Sequence, residues 1–135
     1  MKTITTLIFT CMMLLISPLS LAHSDHGDTS KLKLDNLMKA TLAGTANTEV
    51  IVSHVIIPPN TMLPKHWHPG EEFVYIIDGS VTLWQKGKKD ILGKKGEALK
   101  VPLKQIHTAK TGNEAVVLLV FRVHEKGQPE RIKAE

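Results

Sequence analysis

His66 and His68 stand one residue apart, and Glu72 follows four residues after His68. On a β-strand, residues i and i+2 face the same way and lie about 6–7 Å apart along it. Two neutral imidazoles at that separation can grip one metal ion. Pro69-Gly70 then reverses the chain, and Glu72 opens the next strand beside them. Two imidazoles plus one carboxylate on one side of an ion is facial-triad logic, suited to Fe(II), Mn(II), Ni(II) or Zn(II). A fourth ligand must come from a distant segment. The best candidate is His107, after Pro102 and before the last clear strand. On spacing alone the competing reading is an exposed Glu71 and a Glu72 paired with a lysine.

The elements that must carry these groups read as all-β. "EVIVSHVII" (49–57) is rich in β-branched residues and is stopped by "PPN". "FVYII" (73–77) ends at Asp78-Gly79, a hairpin signal. "VTLWQ" (81–85), a lysine-rich turn at "KGKK", "DIL", "ALKVP" and "AVVLLVFRV" (115–123) complete the pattern. Residues 32–44 carry mixed helix and strand spacing and are expected to form a strand on the outside of the domain. Several short strands with frequent turns point to a sandwich or a barrel.

Parity assigns the side chains. Trp67 lies between two inward ligands and must point away. Val81 and Leu83 line the interior, and Trp84 turns outward. "EFVYII" is apolar on both parities, so the Phe73, Tyr75 and Ile77 face needs cover. In so small a chain, a homodimer is the simplest cover. His54, Gln105 and Tyr75 are the candidates to stand behind the ligands or to reach a substrate. Lys65 and Lys104 lie closest to the ligands and could meet an acidic substrate. His124, at the end of the last strand, is expected in solvent.

The spacing of the whole set resembles the cupin superfamily, the RmlC-like jelly roll. Its first motif is matched by His66-x-His68, three residues, Glu72, six residues and Gly79. Gly96, five residues, Pro102, Lys104, two residues and His107 follow the second. The resemblance runs from about Val50 to Val123. It implies a single-domain double-stranded β-helix (jelly-roll) barrel of the small, exported, conserved-barrel kind. It also implies one divalent transition metal ion, Fe(II) or Mn(II) favoured over Zn(II) or Ni(II), held by His66, His68, Glu72 and His107. Three positions depart from the pattern. Asn60 stands near the usual upstream glycine, Lys104 replaces the turn glycine of the second motif, and Thr111 replaces its closing asparagine. A left-handed Lys104 costs about 1 kcal/mol, because its Cβ crowds a carbonyl, so a reshaped turn is expected there.

Residues 1–22 read as a secretory leader: Lys2, an apolar stretch from Leu7 to Leu19, and a Ser20-Leu21-Ala22 cleavage site. Cleavage takes with it Cys11, the only cysteine, and so excludes disulfides and thiolate ligands from the mature chain. Residues 23–31 read as a flexible tail and 32–135 as the barrel domain. A periplasmic or secreted location is expected, with no membrane association once the leader is removed. In that compartment the net charge of +4 does not argue for nucleic acid. The expected partner is a small-molecule ligand or substrate.

The resemblance implies a metal-dependent oxidoreductase of dioxygenase type acting on a small oxygenated molecule. The alternatives are a non-catalytic metal- or ligand-binding cupin and, more weakly, an isomerase or lyase. No catalytic residue is expected beyond the ligands themselves.

Overall fold

The computed structural model describes residues 29–135. The expected leader and most of the expected tail lie outside the described residues. Ten strands follow in chain order: β1 (Lys33–Thr41), β2 (Thr48–Ile57), β3 (His66–Trp67), β4 (Gly70–Asp78), β5 (Ser80–Gln85), β6 (Ile91–Lys94), β7 (Ala98–Val101), β8 (His107–Lys110), β9 (Val116–Glu125) and β10 (Ile132–Lys133). They build two five-stranded antiparallel sheets, ordered β1-β2-β9-β4-β7 and β10-β3-β8-β5-β6. Among the described residues there is no helix.

The long valine- and isoleucine-rich segments become the centre of the first sheet. β2 and β9 pair without a break from Thr48↔Glu125 to Ile57↔Val116. β4 lies on the other side of β9, with Glu72↔Arg122 and Val74↔Val120 in register. Because side chains alternate across a strand, this register turns one set inward: Val55 and Ile57 of β2, Val74 and Ile76 of β4, and Val116, Leu118 and Val120 of β9. With Val81 of β5 they make the buried apolar core. Apart from the buried Ile51, which pairs with Arg122, the next inward positions toward the other end of the barrel are polar: Ser53, Glu72 and Arg122, then Glu49 and His124.

Two local expectations are corrected. Asp78-Gly79 does not close a hairpin, since β4 and β5 lie in different sheets. Gly79 has φ 77°, and a Cβ there would sit 2.2 Å from the Ala115 carbonyl oxygen. It therefore lets the chain step from one sheet to the other while passing tightly against the start of β9. Lys104 keeps the left-handed conformation, φ 56°, and the turn is not reshaped. Two hydrogen bonds hold it: Lys104 N–H donates to the His68 carbonyl at 3.1 Å, and Gln105 N–H to the Pro102 carbonyl at 3.1 Å. They offset a backbone cost of about 1 kcal/mol.

The other two departures are also accommodated. Asn60 is left-handed at φ 52°, a region asparagine tolerates well. The Thr111 hydroxyl is buried, donates to the Pro58 carbonyl at 2.6 Å and accepts from Thr61 N–H at 2.9 Å. It ties the end of β8 to the turn after β2.

β1 pairs along β2 at the sheet edge, with a register shift between Asn36 and Met38. On the outer face of this sheet Phe73, Tyr75, Ile77 and Phe121 are 37–46% exposed.

One close approach is testable. Gly70 opens β4 opposite His124, and a Cβ on it would lie 2.0 Å from the Val123 carbonyl oxygen and 2.4 Å from the His124 Cβ. Backbone cannot yield there as a flexible side chain would. Gly70→Ala is expected to destabilise by roughly 1–3 kcal/mol, read as a lower midpoint in thermal or chemical unfolding. An unchanged midpoint would mean that β4 does not pack against β9 this closely.

Candidate metal centre

Three short segments bring the site together. β3 supplies His66, the turn after it His68, and β8 supplies His107, which pairs with His66 in register. β4 supplies Glu72 from the facing sheet. The three imidazoles are 3–8% exposed. Their ring centroids are 4.3–5.1 Å apart, and one ring nitrogen from each falls within 4.8 Å of the others.

The far side of every ring is fixed. Nδ1 of His66 lies 2.9 Å from the Pro64 carbonyl, Nδ1 of His107 2.9 Å from the Gln105 carbonyl, and Nδ1 of His68 2.6 Å from the Glu130 carbonyl. A carbonyl can only accept, so each Nδ1 carries the proton and each Nε2 presents a lone pair to the centre. Nε2 of His68 is 2.9 Å from Glu72 Oε2, and Nε2 of His107 is 3.7 Å from Oε1. Yet His68 Nε2 is buried without a hydrogen bond of good geometry. A buried lone pair with no hydrogen-bond partner is costly, and a cation between the rings would satisfy it. These residues fit a divalent transition metal ion: three neutral imidazoles, with one carboxylate beside them.

Electrostatics keep the set in its ligating form. Burial works to raise the Glu72 carboxyl, but the close approach of His107 and His68 outweighs it and holds the group well below the usual carboxylate range. Burial lowers His66 from 6.5 to about 4, against the pull of the Pro64 carbonyl and with help from the neighbouring histidines.

A cavity of about 80 Å³ opens beside the centre. Its walls are mainly aliphatic, among them Val55, Leu63, Val74 and Leu83, and two arginines, Arg122 and Arg131, also reach it.

His66, His68 and His107 thus come together as their spacing implied, with Glu72 at their side. The three residues expected behind them do not line the cavity. His54 shares the outward parity of β2, opposite to Val55 and Ile57. Tyr75 is 46% exposed on the outer face. The Gln105 side chain donates to the Lys86 and Ile106 carbonyls instead, and Gln105 serves His107 through its main chain. Lys65 lies over Trp84, 4.4 Å from the ring centroid, and not at the site.

His124 is not in solvent. It is buried, with Nε2 3.6 Å from Glu49 Oε1, because residue 124 has the inward parity of β9. The same alternation brings Arg122 inward, a signal present in "VVLLVFRVHE" but not used. Glu130 carried no such signal, since its position depends on the whole C-terminal path.

The comparisons agree with this geometry. A sequence model of the cupin domain matches residues 53–122. The chain belongs to the cupin family, and its barrel is the RmlC-like double-stranded β-helix. Similar solved structures include an RmlC-like cupin from Methanocaldococcus jannaschii, 19% identical, covering 73% of this chain and 84% of that one, with a TM-score of 0.60. The polyketide cyclase RemF from Streptomyces resistomycificus is 19% identical, covers 79% and 84%, and has a TM-score of 0.55. The DMSP lyase DddQ from Ruegeria pomeroyi DSS-3 is 17% identical, covers 76% and 51%, and has a TM-score of 0.62. This chain therefore spans about half the length of that lyase. No curated protein sequence matches the chain.

The pKa directions set a pH dependence. A group whose folded pKa lies below its unfolded value stabilises the fold above the unfolded value, and that stability is lost as pH falls through the folded one. For His66 the window runs from 6.5 down to about 4, and Glu72 extends the loss to lower pH. Metal-free protein is therefore expected to lose stability between pH 6.5 and 4, measured by urea unfolding in chelator. His66→Asn should show a shallower fall across the same window. Equal slopes in the two proteins would contradict the burial of a neutral His66.

Proposed function

We propose that this chain is an exported, metal-dependent cupin that carries out dioxygenase-type chemistry on a small oxygenated molecule, with His66, His68, His107 and Glu72 as the ligands. One observation carries the reading: three imidazoles, each tethered at Nδ1, turn their Nε2 atoms toward one point beside a carboxylate. A divalent ion held there supplies Lewis acidity and, as Fe(II) or Mn(II), access to dioxygen.

The chain's own part is binding and exclusion. The aliphatic wall takes the apolar body of a substrate and sheds water from it. Glu72 offsets part of the ion's charge. Arg131, exposed at the cavity, offers a guanidinium to an anionic oxygen on the substrate. Among the described residues, no other acid or base lines the cavity beyond the three histidines, Glu72 and the two arginines. That favours a reaction that needs little proton shuttling by side chains. The lyase and the cyclase share only the fold at this level of identity and lend no reaction to this chain.

The direct test uses protein recovered after export. Its intact mass should begin at His23, and elemental analysis should find one equivalent of a transition metal. His66→Ala and His107→Ala should lose the metal and keep a folded barrel, with a lower melting temperature because bound metal adds stability. Anaerobic loading with Fe(II) should allow oxygen uptake with members of a phenolic and enolic panel. Absence of metal after export would overturn the site. Metal without oxygen uptake would favour the binding role over the enzyme.

The exposed Phe73, Tyr75, Ile77 and Phe121 face supports a further part of the reading, that two copies pair through this sheet. Light scattering should give a dimer mass, and Tyr75→Glu with Phe73→Glu should shift it to the monomer without changing metal content. A monomeric wild type would dismiss the pairing.

A further inference from the structure

We infer that Glu130 is a positioning residue for the metal centre, clasping the C-terminal segment across the barrel so that its own carbonyl sets the orientation of His68. The inference rests on the metal reading above. Its evidence is a separate set of contacts, and two of the residues that make it, Asn36 and Glu130, lie outside the matched segment 53–122.

The contacts converge from three strands. Glu130 Oε2 accepts from Arg122 Nη1 of β9 at 3.0 Å. Its Oε1 accepts from Asn36 Nδ2 of β1 at 3.0 Å. Arg122 is buried and held in turn by Ser53 and Asn36. A planar guanidinium with fixed partners is a rigid anchor, and a charge-assisted bond to it is among the stronger kinds. The Glu130 carboxylate therefore has little freedom.

The main chain of the same residue meets the site. The Glu130 carbonyl accepts from His68 Nδ1 at 2.6 Å. Immediately after it, Ile132 and Lys133 pair with Trp67 and His66, and Ala134 N–H donates to the Lys65 carbonyl at 3.0 Å. His66 and His107 take their Nδ1 acceptors from two residues away in sequence, Pro64 and Gln105. His68 takes its acceptor from 62 residues away. Two of the three tethers are thus local. The third exists only while the C-terminal segment is clasped.

Substituting Glu130 leaves the main-chain carbonyl chemically unchanged. Any effect on His68 must then pass through the position of the segment, which makes the inference testable. In metal-free protein at pH 8, long-range proton–nitrogen spectra should show all three histidines as Nδ1–H tautomers. In Glu130→Ala, His68 should become a mixture of tautomers while His66 and His107 stay as they are. Affinity for Zn(II) should fall about ten-fold or more, the usual scale for losing a partner behind a metal ligand.

Glu130→Gln keeps one oxygen for one of the two donors and should fall between. Gln128→Ala, on the exposed approach to the same segment, should change neither reading. If Glu130→Ala does not fold, Asn36→Ala removes one clasp contact from an edge strand and should move both readings in the same direction, less far. An unaltered His68 tautomer with Zn(II) affinity within about two-fold would overturn the inference. A wild type that binds no metal, yet shows the tautomer change in Glu130→Ala, would remove the metal reading and keep the positioning.

Discussion

Glu72 and Arg122, the groups that the first sheet brings to the site, owe their direction to the register that places β9 between β2 and β4. Ten consecutive pairs with β2, and Arg122 of β9 opposite Glu72 of β4, turn one alternating set from each of the three strands toward the interior. A slip of one residue would send Glu72, Arg122 and His124 to the outside and bring Phe73, Tyr75 and Phe121 in. The apolar end of the barrel guards against that slip, because Val55, Ile57, Val74, Ile76, Val116 and Leu118 would be lost from the core together. Packing at one end therefore holds polar groups in place at the other.

Upon that frame, a second constraint decides the chemistry. Buried imidazoles are useful as ligands only if they stay neutral and present the right nitrogen. Burial disfavours the charged form of His66, and carbonyls at Nδ1 assign the tautomer of all three rings. Glu72 is the counterpart, kept ionised by the same histidines that it faces. Burial keeps His66 neutral against the pull of Glu72, and the carboxylate beside the rings stays ionised, so both groups hold the protonation states that a cation needs.

The positions that depart from the family pattern show how a turn survives a change of residue. Lys104 holds a left-handed turn because its N–H is bonded to the carbonyl of His68. Relaxing the turn would release a ligand-bearing segment. Thr111 uses a hydroxyl to secure the 58–61 turn. Backbone hydrogen bonds that serve the site outweigh a local preference for glycine. For the same reason residue preference alone misjudged Lys104.

His66-x-His68, Glu72 and His107, the long valine-rich strands and the inward parity of Val81 and Leu83 were all legible in the sequence. All but His107 depend on periodicity and spacing, which are local; His107, on a distant segment, joined the set through the likeness to the cupin motifs. Of the short strands, β3 was read from the His66 and His68 spacing but stops at Trp67 and leaves His68 in the turn; β8 and β10 were not legible, because two to four residues of mixed character become strands only when a partner is beside them. Nor was the Asp78-Gly79 step, where the same dipeptide serves a hairpin or a passage between sheets according to what packs around it. The burial of His124 and the outward turn of His54 followed from one fact the sequence left open, which face of each strand meets the core. Glu130 is the clearest case. Its contacts with Asn36, Arg122 and His68 span separations of 94, 8 and 62 residues. The chain alone determined which groups could bind a metal. Tertiary structure decided which of their nitrogens face it, because that depends on carbonyls and charges brought in from elsewhere in the fold.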